Sequence, residues 1–265
     1  MRGDHMKIER IKKVGASKYQ LILQNKDVIT TYEDVILKHN LLYHKEIDED
    51  LLPQLLKETK HSDIYYQSVK KLTSKFMSEK EYRKWLKKFE LKKEEEVACV
   101  SRVKDVGLLN DQAYACAYVR DKARLSKYGK EKIEQDLKDQ GIGEEVRKHA
   151  LQEIDEIWMY EKLEHAILKK ISQNHRYSNR QLKQKIISEF MSLGFLKADI
   201  LEVLSHVKWE EETKLLEREY EKILVRAKRK YQGNELVKYV KNKLYQKGFS
   251  LEQIEACMER KNNDF

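Results

Sequence analysis

The chain has 265 residues, of which 37% are charged, with a formal net charge of +9 and a single proline, Pro53. That composition suits long solvated helices and argues against an all-β domain full of Pro/Gly turns. No run approaches the roughly 18 apolar residues of a membrane span, and no signal-type charged and apolar stretch opens the chain, so a cytoplasmic protein is expected.

In chain order, residues 1–6 read as a cloning remnant, with Met6 as the native start. Residues 7–60 read as a small strand-plus-helix N-terminal domain. Ile8–Val14, Tyr19–Leu23 and Val28–Thr31 are short and rich in β-branched and aromatic residues, and Gly15-Ala16-Ser17 between the first two suits a hairpin turn. Two helices are predicted over Tyr32–Asn40 and Asp48–Thr59. Val35, Ile36 and Leu42 supply the apolar face of the first; Leu51, Leu52, Leu55 and Leu56 supply that of the second.

After residue 60 one signature recurs four times. Its anchors, Met77, Tyr128, Tyr177 and Tyr231, stand 51, 49 and 54 residues apart. Five residues after each come Tyr82, Ile133, Leu182 and Leu236; nine after come Leu86, Leu137, Ile186 and Val240. Positions four apart share one helix face, and a fixed period in this range marks a supersecondary unit copied in tandem. Ser78-Glu-Lys-Glu81 and Ser178-Asn-Arg-Gln181 read as capping boxes at the start of the middle helix. Gly141, Gly194 and Gly248 suit its left-handed termination; the first unit has Glu90 there, so its turn must be built another way. The third helix is expected to carry Val97, Val146, Ile200 and Ile254 to the core. The four three-helix repeats are placed at 62–106, 111–155, 156–208 and 210–260. The fold class is therefore mainly α: an elongated tandem array of four three-helix repeats, preceded by a small α+β N-terminal domain.

Three blocks carry a resemblance. Gly107–Arg120 (GLLNDQAYACAYVR) with Tyr128–Ile142 (YGKEKIEQDLKDQGI), and the preceding Ser78–Leu86 (SEKEYRKWL), together resemble the signature of the RecX family. The match covers most of residues 62–260, is most specific over Leu109–Ile142 and looser in the last two repeats. The longer family members carry an N-terminal extension like residues 7–60. The resemblance implies a regulatory protein that binds the RecA filament on single-stranded DNA along its groove and inhibits its ATPase, strand-exchange and coprotease activities. Direct contact with DNA is implied for some members.

Catalytic chemistry finds no support in the residues. HExxH, GxSxG, Walker-type and GxGxxG patterns are absent, and Gly141-Ile-Gly143 follows a helix rather than a strand. Cys99, Cys116 and Cys257 are odd in number and far apart, so neither a disulfide framework nor a zinc site is indicated. No enzyme activity, cofactor or metal is expected, and the chain is read as a monomer without a membrane partner. Candidate partner-binding residues, for the RecA filament or DNA, come from the basic clusters. Lys70, Lys71 and Lys75, and Arg83, Lys84, Lys87 and Lys88, lie in the repeat with the largest basic excess. Arg120 and Arg124 lie in the signature block, and Arg226, Lys228, Arg229 and Lys230 end a long helix, where cations also suit the helix dipole. Trp85, Trp158, Trp209 and most of the tyrosines fall at helical spacing and are expected mainly in cores. Two other readings stay open: an autonomous DNA-binding protein using basic helical faces, and a non-catalytic scaffold.

Overall fold

The computed structural model describes residues 6–209 and 211–263. Residues 1–5 of the expected cloning remnant, Glu210 at the head of the expected fourth repeat, and residues 264–265 lie outside the described residues.

The N-terminal strands form at the three runs rich in β-branched and aromatic residues. β1 (Met6–Lys13), β2 (Lys18–Leu23) and β3 (Val28–Tyr32) pair antiparallel, and a short β4 (Glu46–Ile47), which the sequence does not announce, adds to the far edge in the order β3-β2-β1-β4. Ile11 pairs with Leu21 and Lys13 with Tyr19, while the register shifts between Ile8 and Arg10. Ile8, Leu21 and Leu23 are buried against Val35 and Ile36 of α1 (Glu33–Lys38), Leu41 of α2 (Leu41–His44) and Leu55 of α3 (Leu51–Ser74). Leu42 and Leu56, expected on the apolar faces, are 47% and 50% exposed. Asn40, in the left-handed region at φ 51°, breaks the first predicted helix and re-aims the chain so that Leu41 enters the core.

α3 runs unbroken through the limit expected at residue 60. Leu55 in its first half belongs to the core under the sheet, whereas Ile64 and Leu72 in its second half belong to the core of the first repeat. Polar contacts stitch the same helix to the end of β3 and to α1. Thr31 and Thr59 share a hydroxyl hydrogen bond of 2.6 Å, Ser62 donates to Asp34 at 2.8 Å, and Tyr32 donates its hydroxyl to Asp63. Burial and the Asp63 carboxylate both push the Tyr32 phenol up.

Glu58 of α3 is the strongest titrating link in this domain. Burial would raise its carboxyl, but hydrogen bonds from Lys38, Gln54 and His39 outweigh that and hold it down at about 2. A depressed folded-state value contributes stability that is fully present above the unfolded value and lost as pH falls through the folded one. The N-terminal domain is therefore expected to lose stability between about pH 4.5 and pH 2, and Glu58→Gln should flatten that limb of the profile, read by urea unfolding at stepped pH.

Beyond α3 the three-helix unit repeats. The middle and third helices of the first repeat are α4 (Glu79–Leu86), closed by a 3₁₀ turn at Lys87–Phe89, and α5 (Lys93–Asp105). The second repeat is α6 (Asp111–Leu125), α7 (Lys130–Asp139) and α8 (Glu144–Leu151). The third is α9 (Glu156–Ser172), α10 (Asn179–Ser192) and α11 (Lys197–His206), and the fourth α12 (Thr213–Ala227), α13 (Gly233–Gln246) and α14 (Leu251–Asn263). Seven of the eight positions at the two middle-helix offsets are buried, and Leu236 packs partly buried against the fourth core. Third-helix packing matches expectation in the last two repeats, where Ile200 and Ile254 are buried, and differs in the first two. Val97 is 50% exposed and Val146 half-buried; Val100, Leu151, Leu204 and Met258, each ten residues after the turn residue, are the positions buried in all four repeats.

The caps are half of what the boxes promise. Ser78 and Ser178 accept from the backbone N–H of Glu81 and Gln181 at 3.2 and 3.4 Å. The side chain of Glu81 pairs with Lys75 at 3.3 Å, and that of Gln181 donates to the Gln246 carbonyl at 3.2 Å.

The described chain forms two compact units, one of residues 6–114 with 140–142 and one of 115–139 with 143–263. A single kind of joint recurs inside them: the start of one middle helix receives oxygens from the following repeat. In the first unit Asp111 accepts from the Glu79 N–H at 2.8 Å, and a Cβ on Gly141 would meet the Lys80 side chain at 3.1 Å. In the second, Gly129 and Glu131 donate to the carbonyls of Leu193 and Gly194 at 2.8 and 3.1 Å. Ser178 donates to the Lys247 carbonyl at 2.5 Å, and Glu212 accepts from the Asn179 N–H at 2.6 Å. Helix-start N–H groups lack partners in their own helix and favour negative charge, so each joint satisfies them. The same logic explains Glu90. Contrary to expectation its turn is built the same way, left-handed at φ 51°, beside φ 80–89° at Gly141, Gly194 and Gly248. Glu90 is exposed, and among the described residues its turn docks on no earlier three-helix unit, so a side chain is tolerated there.

Candidate partner-binding faces

The thirteen candidate cations separate into braces and free charges. Lys70 and Lys71 sit in the last turns of α3, but the helix stops at Ser74 and Lys75 is extended at φ −145°, so Lys75 does not extend their face. Lys75 is instead committed to Glu81. Arg83 is a brace between α4 and α5: its Nε and Nη1 lie 2.7 and 2.8 Å from Glu79 and Glu96, and these bonds push the guanidinium up. Burial would raise the Glu79 carboxyl, yet Lys104 at 2.5 Å together with Arg83 holds it low. Lys84 and Lys87 are exposed and have no ion-pair partner among the described residues. Lys88 lies 4.3 Å from the Trp85 ring centroid and 4.5 Å from that of Phe89, a cation–π arrangement.

In the second unit Arg120 pairs with Glu153 at 3.1 Å, whereas Arg124 is exposed and has no ion-pair partner among the described residues. Both line a hollow of about 460 Å³ with Trp158. Beneath it Lys162, whose ammonium burial pushes down, donates to the Ala123 and Tyr128 carbonyls at 2.8 and 3.0 Å and so closes the end of α6. Arg226 lies in the last turn of α12, with Lys228, Arg229 and Lys230 in the turn that follows. All four are exposed and have no ion-pair partner among the described residues. They form the densest uncompensated charge on this unit.

The tryptophans depart from expectation. None of the three is fully buried, and each has a lysine over its ring: Lys88 on Trp85, Lys162 on Trp158 at 5.3 Å and Lys183 on Trp209 at 4.5 Å. Three cations of α10 also escaped the sequence analysis. Arg180, Lys183 and Lys185 lie within 6.0, 4.5 and 4.5 Å of the rings of Tyr245, Trp209 and Tyr177. These cations are interleaved with Gln and Leu, so they form no run, and their aromatic partners come largely from the neighbouring repeat. Exposed cations backed by π-faces suit polyanions and flat, electron-rich groups. Among the described residues no cluster of His, Cys, Asp or Glu is placed to hold a metal ion, and no helix is long and apolar enough to cross a membrane.

Comparisons with known proteins converge on one family. The family model described as RecX, second three-helix domain, matches residues 110–151. A regulatory protein RecX from Enterococcus faecalis is 30% identical over 261 residues, covering 96% of this chain and 97% of its own. One from Oceanobacillus iheyensis is 27% identical over 270 residues, covering 97% and 99%. Among solved structures, a regulatory protein RecX superposes with a TM-score of 0.66 at 22% identity, over 76% of this chain and all of that one. RecX from Lactobacillus salivarius superposes at 0.51 and 23% identity, over 55% and 95%. These structures share the fold, and the near full-length match at 30% identity goes further: this chain belongs to the RecX family of regulatory proteins.

Proposed function

We propose that this chain is a negative regulator of RecA. As a monomer it binds the RecA filament on single-stranded DNA along its groove and lowers the filament's ATPase, strand-exchange and coprotease activities, with no reaction catalysed by its own residues. The observation that carries this reading is the recurrent joint, in which the start of one middle helix takes oxygens from the next repeat. Units joined by one rule suit a polymer of identical subunits, because each can address a successive protomer and the contacts accumulate as avidity. The contacts themselves are assigned to the free cations: Lys70, Lys71, Lys84, Lys87 and Lys88 on the first repeat, Arg124 on the second, and Arg226, Lys228, Arg229 and Lys230 on the fourth.

Autonomous DNA binding is the second reading, favoured by the lysine-backed tryptophans. Co-sedimentation separates the two. The protein should pellet with RecA filaments on single-stranded DNA and stay in the supernatant with RecA alone. Equal retention on DNA without RecA, losing affinity steeply with salt, would favour the second reading.

A further inference from the structure

A cleft of about 770 Å³ opens in the second unit, walled by α9, the start of α10, the segment after α11 and the first turns of α12. Its size falls within the range of pockets that enclose small organic ligands. The walls are chemically lopsided. Tyr177, Leu182, Trp209 and Leu215 provide apolar and aromatic surface, and the charged groups at the rim include Lys208, Lys214 and Arg218. Of the two lining carboxylates, Glu212 is already spent on the Asn179 N–H at 2.6 Å, with Gln253 at 3.5 Å on its other oxygen; Glu211 is exposed. Arg218 donates to the His175 carbonyl at 2.5 Å, whereas Lys208 and Lys214 are exposed and have no ion-pair partner among the described residues.

Exposed lysines thus stand beside a partly aromatic wall. The complementary ligand is flat, rich in acceptors and anionic. We propose that this cleft holds one nucleotide, its base against Trp209 and Tyr177 and its phosphate toward Lys208 and Lys214. An acidic peptide would satisfy the lysines but would leave the aromatic wall unused. The nucleotide comes either from an unstacked position of a single strand or from a free mononucleotide. The proposal does not rest on the RecA reading, because it concerns DNA without RecA.

The test is fluorescence anisotropy of the full chain with a labelled oligothymidylate and with an abasic strand of equal length. Base-to-aromatic stacking contributes roughly 5- to 100-fold in affinity, so the base-bearing strand should bind at least about tenfold tighter. Trp209→Ala should bring the base-bearing strand down to the affinity of the abasic one, and Trp209→Phe, which keeps a smaller ring, should fall between. Should Trp209→Ala fail to fold, Lys208→Glu with Lys214→Glu, both exposed, must weaken both strands. Competition by thymidine monophosphate assigns the cleft to free nucleotide, and its absence assigns it to a nucleotide held in a strand; both support the proposal. Equal affinity for the two strands, indifference to the Trp209 variants, or displacement of the strand by polyglutamate with comparable affinity would overturn it.

Discussion

Gly194→Ala is expected to cost more than about 3 kcal/mol of folding stability, among the larger single-substitution effects available to this chain. The residue sits at φ +84°, and a Cβ there would stand 2.2 Å from the Lys132 backbone nitrogen and 2.5 Å from its Cβ. The left-handed conformation alone costs an L-residue about 1–2 kcal/mol. The overlap is with backbone, so no rotamer relieves it; the joint must open, releasing the Gly129 and Glu131 N–H bonds to the Leu193 and Gly194 carbonyls. Gly248→Ala should cost somewhat less, because its nearest obstacle is the Ser178 hydroxyl at 2.6 Å, which can rotate at the loss of its bond to Lys247. Glu90→Gly, at the equivalent turn but exposed, should shift stability by less than about 1 kcal/mol in either direction. Urea unfolding followed by circular dichroism reads all three. A Gly194→Ala protein as stable as the parent would mean that the joint is not closed in solution.

The second large effect is expected on binding. Reversing Arg226, Lys228, Arg229 and Lys230 together to Glu should weaken association with the RecA filament on the order of 100-fold at low salt, and should flatten the salt dependence of what remains. Lys84→Glu with Lys87→Glu should cost about tenfold by the same reasoning. Helicity should be unchanged, since these side chains are exposed and make no ion pair among the described residues. Arg83→Ala is the informative contrast. That side chain is about one-third exposed, and its two carboxylate partners are structural. Its loss should reduce stability by about 1 kcal/mol after solvent screening is allowed for, with affinity nearly unaltered. Unchanged filament affinity in the fourfold variant would remove that face from the interface.

How far the sequence carries the structure depends on whether a feature is local. The middle-helix face is legible because Tyr82 and Leu86, or Ile133 and Leu137, are four residues apart and recur with one period, so helix geometry alone brings them together. The third-helix face is less so. In α5, Val97 and Val100 are both apolar and both compatible with a helical face; only packing against α3 and α4 selects Val100. The limit at residue 60 fails for a related reason. Composition changes there, yet α3 serves the sheet core through Leu55 and the first repeat through Ile64. Glu90 reads as a departure from the Gly pattern until the joints show that the glycines are required by the repeat that precedes them. The candidate faces follow the same division. Exposure of Arg226, Lys228, Arg229 and Lys230 is readable from a basic run at a helix end, broken only by the buried Ala227. The commitment of Arg83 to Glu96 is not, since that partner lies thirteen residues on, in the next helix. The Trp209 cleft gathers its walls from α9, α10, the segment after α11 and α12, and no window of sequence contains it.

The central claim, that this chain regulates RecA, is tested most directly by RecA's single-strand-dependent ATPase rate with this protein titrated in below RecA's own concentration. The account predicts loss of ATPase at substoichiometric amounts, with the fourfold Arg226–Lys230 reversal shifting the titration to higher concentration. An unchanged rate at a molar excess would contradict it.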